Sequence, residues 1–227
     1  MLCFCFDPYV AIIGDIVNSK KIQDRDAVQQ KLKAALSAVN EDYKAEIASN
    51  FMITLGDEFQ GLLSTGKHLM DVLTRIEQEM SPVRFRFGIG VGSITTQIQR
   101  DWAIGADGPG YHKAREAVAH LKAAENKKEN GPADTRIAFE DAPQEIADLL
   151  NVTFKLLTAI KQSWSKQQRL VIQDALKHRD SQVKMAGRLG VKQPTIHKHL
   201  INGHYYSYLE ALSTINRIMA EVKNSNG

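Results

Sequence analysis

The sequence predicts an α+β protein, with a sheet-and-helix domain over residues 1–160 followed by an all-α unit over residues 161–227. Three observations carry this reading. The front half alternates strand-like and helix-like periodicities, the last third reads as short helices alone, and the charge divides near the same place. Residues 1–150 hold 17 Lys+Arg against 22 Asp+Glu (−5), whereas residues 151–227 hold 12 against 4 (+8), within a total of +3.

Tyr9–Ile16 is almost continuously apolar and β-branched, as expected of a strand buried on both faces. Over Arg25–Tyr43, Val28, Leu32, Leu36, Val39 and Tyr43 recur at spacings of four and three, an amphipathic helix with Asp24 or Asp26 opposing the dipole at its start. Two half-apolar runs then meet at Gly56-Asp57. Gly66–Met80 reads as a second helix through Leu69, Val72, Leu73 and Ile76. Val83–Val91 alternates Phe85, Phe87 and Ile89 against Arg84, Arg86 and Gly88, a strand pattern. The order β-α-β-β-α-β is that of the ferredoxin-like split βαβ arrangement, with strands 1 and 3 adjacent at the centre of an antiparallel sheet. Thr135–Phe139 can close the sheet as a last strand, and Gln144–Ile160 returns to helical spacing. The polar, breaker-rich stretch 125–134 is expected to be a mobile surface loop.

Composition is that of a globular protein, with 43% hydrophobic and 24% charged residues. No apolar run approaches the roughly 20 residues needed to span a bilayer. The apolar opening stops at Asp7-Pro8 without a basic start, so a cytoplasmic protein with no membrane partner is expected. Cys3 and Cys5 are expected to be reduced apolar residues at the start of a strand.

Asp15 ends the first strand and Asp57 follows it by 42 residues, in the tight turn between two later strands. Two carboxylates at neighbouring strand tips make a hard oxygen site suited to Mg²⁺ or Mn²⁺, and Mg²⁺ held this way commonly completes its shell with nucleotide phosphates. The alternative is that both merely cap turns. Arg115 carries a guanidinium fork that can brace phosphate, or can serve a surface ion pair. Gly105, Gly108 and Gly110 around Asp107 and Pro109 form a glycine-rich helix entry whose N–H groups can meet an anion, or a plain turn with proline near the helix start. It lacks the lysine and hydroxyl of a P-loop. Gly56, Asp107, Gly108 and Arg115 are therefore the candidate nucleotide contacts. Gly88, Gly90 and Gly92 let a ligand approach the backbone or mark a bulge and hairpin, the second being preferred.

In the basic tail, Ser165 and Gln168 form a capping-box start. Within Ser181–Leu200, Ala186 supplies a small residue for a helix crossing, Gly190 a turn, and Val191 and Ile196 the apolar underside of a second helix opened by Pro194. This is the pattern of a helix-turn-helix that binds DNA, with Gln193, Thr195, Lys198 and His199 available for base edges or phosphates. Tyr208, Leu212, Ile215, Met219 and Val222 then repeat at four, three, four and three. That seam serves packing within the chain or a homodimer, and a homodimer is expected.

Asp15-Ile16-Val17 followed by Leu55-Gly56-Asp57-Glu58-Phe59 resembles the palm domain of class III nucleotide cyclases and GGDEF diguanylate cyclases. Nearly the full length, including Gly105–Arg115 and the basic tail, resembles the SatD family of bacterial proteins. The palm resemblance implies Asp15 and Asp57 as metal ligands, the backbone carbonyl of Ile16 as another, Glu58 as a further ligand or base, and Arg115 as a phosphate-bracing arginine. The sequence departs from those patterns at Ile53, Leu55 and Tyr111, so substrate choice is not inherited. Two functions follow as expectations. One is a DNA-binding regulator whose cyclase-like domain binds a nucleotide with a divalent metal. The other is an active nucleotidyl cyclase or nucleotidyltransferase targeted by its DNA-binding tail.

Overall fold

A computed structural model describes residues 2, 4–103, 105–125 and 133–223. The central strand β1 (Tyr9–Ile16) lies between β3 (Glu58–Leu63) and β4 (Phe85–Gly92), antiparallel to both. Outside β3 runs β2 (Ile47–Leu55), antiparallel and interrupted by register shifts, and outside β4 runs β5 (Thr135–Phe139), parallel to it. The sheet order is β2-β3-β1-β4-β5.

Strand alternation decides what covers each face. Val10, Ile12 and Ile16 of β1, with Phe85, Phe87 and Ile89 of β4, join the main core with α1 (Arg25–Asp42) and α2 (Leu69–Met80). Ala11 and Ile13 point the other way, to Tyr111, Ala114 and Val118 of α3 (Pro109–Glu125). Asp24 caps α1, its carboxylate accepting from Ala27 N at 2.9 Å.

The β4 glycines have a different role from the hairpin expected of them. They seat α3: a Cβ on Gly90 would stand 1.9 Å from Gly110 O and 2.4 Å from Ala114 N, and one on Gly88 would stand 2.3 Å from Ala114 O. Their space is taken by helix backbone rather than by a ligand or a bulge.

After β5 come α4 (Gln144–Ser163), α5 (Lys166–His178), α6 (Gln182–Leu189), α7 (Gln193–Asn202) and α8 (Tyr205–Met219). Asn151 of α4 covers the edge strand β5, accepting from Ile137 N at 2.9 Å and donating to Ile137 O at 3.0 Å. The capping box at α5 is complete, with Gln168 N donating to Ser165 Oγ and Ser165 N donating to the Gln168 side chain. Tyr208, Leu212, Ile215, Met219 and Val222 are all buried in the same core as Met70, Leu73 and Ile76. The heptad-spaced seam is thus spent within the chain and is not a dimerisation face.

A half-buried charge group adds to this junction. Lys161 of α4 bonds Glu77 of α2 at 2.7 Å and Asp134 at 2.6 Å. Burial opposes the Lys161 charge, but Asp134 and Glu77 raise its pKa well above the ordinary lysine value. Trp164, between α4 and α5, donates its indole N–H to Gly203 O at 2.8 Å and meets Tyr208 edge to face.

β1 spans Tyr9–Ile16 as expected, and Cys5, exposed and free, lies ahead of it instead of starting a strand. Cys3 and most of the expected polar loop, residues 126–132, lie outside the described residues. Among the described residues no helix is long and apolar enough to cross a membrane.

Candidate functional site

The strand register gathers charge at one end of the sheet. Asp15 pairs with Glu58 of β3 on one side and Arg86 of β4 on the other, so the three side chains form a row on the face that α3 covers. Asp57 sits next to this row, its carbonyl accepting from Ile16 N at 3.1 Å. Gly56, at φ 52°, supplies the left-handed position of the tight turn that joins β2 to β3. The C-terminal end of α3 adds Lys122 and Glu125.

Asp15 is only 6% exposed, and both of its oxygens are engaged. Arg86 Nη1 bonds Oδ2 at 2.6 Å, and Lys122 Nζ bonds Oδ1 at 2.7 Å. Arg86 is held in turn by Glu125, with Nε to Oε1 at 3.0 Å and a second, shorter bond from Nη2 to Oε2. The result is a closed cluster of alternating charge. Glu58 lies at its border, where burial pushes its pKa up, Lys122 pulls it down, and Asp15 and Asp57 push it up further. Among the described residues no group of three or more His, Cys, Asp or Glu side chains is arranged to hold a metal. Of the two expected Mg²⁺ ligands, Asp15 gives one oxygen to Arg86 and the other to Lys122 in this structure.

The expected phosphate contacts fall elsewhere. Gly108 and Asp107 open α3 at the end remote from Lys122, roughly 20 Å along a helix that rises 1.5 Å per residue. Gly108, at φ 153°, packs where a Cβ would stand 2.8 Å from both Ser93 O and Thr95 N. Gly110 N already donates to Ser93 O at 3.1 Å. This entry therefore acts as a packed turn, not an open anion cradle. Arg115 binds Asp107 Oδ1 at 2.5 Å in a surface ion pair. Slight burial opposes ionisation of Asp107, but the bonds from Arg115, Gly108 N and His112 hold its pKa below the usual range. Tyr111, on the side of α3 that packs against β1, is fully buried, its hydroxyl lacking a protein partner and its pKa raised by burial. It is a core residue and does not face the acidic cluster.

Reasoning from sequence missed Arg86, Lys122 and Glu125. Arg86 is visible in the alternation of β4, but only the register of β4 against β1 puts it beside Asp15.

The tail presents the opposite arrangement. α6 ends at Gly190, φ 65°, with Val191 N donating to Ala186 O at 3.1 Å, a left-handed helix stop that allows the tight turn into α7. Ala186, Ile196 and Leu200 are buried. Val191 is 40% exposed, so the expected apolar underside rests on Ile196 and Leu200 instead. Pro194 sits in the first turn of α7. Gln193, Thr195 and Lys198 are exposed and His199 is half-buried, all on this one helix. Gln193 is steadied by Gln182 Oε1 at 2.8 Å. Arg188 is fully occupied by Asp174 and Asp180, each at 2.6 Å, which fastens α6 to α5.

The profile of the SatD family matches residues 9–218. The chain belongs to the SatD family. No curated protein matches this SatD chain. Two structures of a bacterial light-regulated adenylyl cyclase are similar at TM-score 0.37 and 11% identity, over 57% of this chain and 74% and 42% of theirs. The regulator of polyketide synthase expression from Bifidobacterium adolescentis is similar over 93% of this chain and 80% of its own, at TM-score 0.32 and 15% identity. These distant likenesses carry no argument about activity.

Proposed function

We propose that this SatD protein is a cytoplasmic DNA-binding regulator. In this reading α6 and α7 form a helix-turn-helix, α7 enters the major groove, and Gln193, Thr195, Lys198 and His199 meet base edges and phosphates. The observation that carries it is the split of α7 into a buried side, Ile196 and Leu200, and an exposed polar side, in a tail of charge +8.

The sheet domain is read as a ferredoxin-like palm that binds a nucleotide at its acidic end and biases the tail, which requires unequal ligand affinity for two states of the protein. Asp15 and Asp57 would hold a Mg²⁺ or Mn²⁺ that accompanies the nucleotide, with Lys122 giving up its bond to Asp15, and the ion would supply positive charge against the phosphates. The nucleotidyl cyclase or transferase reading draws less support, because both Asp15 oxygens are occupied and Arg115 is turned to Asp107.

The test pairs two measurements on the full chain. Selection from random duplex DNA should return an enriched sequence, and Gln193→Ala should relax one position by about 1–3 kcal/mol. Thermal melts with each nucleoside triphosphate and Mg²⁺ should show a metal-dependent rise in Tm that Asp57→Ala removes. Absence of any enriched sequence would defeat the DNA reading. Absence of stabilisation by every nucleotide would defeat the sensing reading.

A further inference from the structure

The outer face of α4 is out of keeping with a surface that meets only water. Ala147, Leu150, Phe154 and Leu157 take the helix's apolar load into the core. On the opposite side Leu149, Val152 and Leu156 remain 65%, 56% and 61% exposed. Together with the exposed Ala159 they follow spacings of three, four and three, the period of a helix–helix seam. Apolar residues scattered singly on a surface need no explanation, but large ones aligned along one helix mark an interaction face.

The two flanks of this seam differ. One carries Asp148 and Lys155, both exposed and seven residues apart, hence on the same side of the helix two turns from each other. The other borders an apolar groove of about 570 Å³ between α4 and α8, walled by Ile146, Leu149, Ala211 and Ile218. Opposite charges placed this way complement a second copy of the same helix lying antiparallel: Asp148 of each chain faces Lys155 of the other, twice. A parallel partner would set this charged flank against the apolar groove flank and leave both charges unpaired. In the antiparallel pairing the groove flanks also meet each other, so the remaining apolar surface closes. This self-complementarity is the mark of an isologous two-fold interface.

We infer that the protein forms a homodimer through antiparallel pairing of α4, with Leu149, Val152 and Leu156 at its centre and paired Asp148–Lys155 contacts fixing the direction. This dimer is independent of DNA and nucleotide binding. It places self-association away from the α8 seam, which is buried.

Sedimentation equilibrium of the full chain tests it. The expected mass is twice the 25.3 kDa of one chain, and Leu156→Glu should give the single-chain mass with unchanged far-UV circular dichroism. Asp148→Lys should weaken association about tenfold or more, by setting like charges opposite each other twice, and Asp148→Lys with Lys155→Asp should restore it. Three results would each overturn the inference: a single-chain mass at the highest soluble concentration, a dimer indifferent to Leu156→Glu, or a charge swap that fails to rescue.

Discussion

The acidic end of the sheet and the basic helix α7 are the two charged regions singled out by the sequence, and they are built on opposite plans. At the sheet end, Asp15, Arg86, Glu125 and Lys122 satisfy one another in a closed cluster whose centre, Asp15 and Arg86, is buried. On α7, Lys198, Thr195 and Gln193 stand in water above an apolar underside. Charges that neutralise each other under cover hold a fold together, whereas charges left solvated remain available to a partner. The difference is one of charge spent on the fold in the first region and charge left exposed to solvent in the second.

The largest expected effect strikes the closed cluster. Arg86→Met should lower stability by roughly 1–3 kcal/mol, because buried Asp15 keeps Lys122 but loses the cation on its other oxygen. Denaturant melts would measure it, and adding Asp15→Leu should recover part of the loss. If Arg86→Met were neutral, the cluster would not be structural and the contrast with α7 would fail.

On α7 the expected effect is on binding and not on folding. Lys198→Ala should leave the melting curve unchanged and reduce the salt slope of DNA binding by about one, the signature of one lost phosphate contact. A large loss of stability instead would mean that the exposed side of α7 supports the fold no less than the sheet end does.

The smallest effect sits at the border of the acidic cluster. Glu58 has its pKa raised in the fold chiefly by burial, so the folded state holds that proton more readily than the unfolded chain. Its contribution is therefore favourable below the ordinary carboxylate pKa and is lost as pH rises through the raised value. Glu58→Gln should melt slightly higher than wild type at neutral pH, and the gap should close on acidification past the ordinary carboxylate range. A gap that widened in acid would mean that the fold favours the charged form of Glu58 instead.

How much of this was legible depended on how local the governing interactions are. The strands and helices that follow simple periods were readable because one buried face dictates each: Phe85, Phe87 and Ile89 reach the core by alternation, and the Ser165 capping box lies within four consecutive residues. What escaped was settled by distant neighbours. Gly88 and Gly90 make sense only once α3 lies across them. The α8 seam has the spacing of a dimer interface, yet α2 and the rest of the core consume it. Nothing local to Asp15 reveals its two partners, because the register of β4 delivers Arg86 and the far end of α3 delivers Lys122. Val191 falls outside the apolar underside because turn positions next to a left-handed glycine do not follow the helical period.

The central claim is that the solvated cations of the tail neutralise a nucleic-acid backbone. The most direct measurement is the dissociation constant of the full chain for duplex DNA across a series of salt concentrations. With three to five phosphate contacts around α7, log Kd against log salt should rise with a slope of roughly 3–4.5. A flat dependence, or no binding at low salt, would contradict the account.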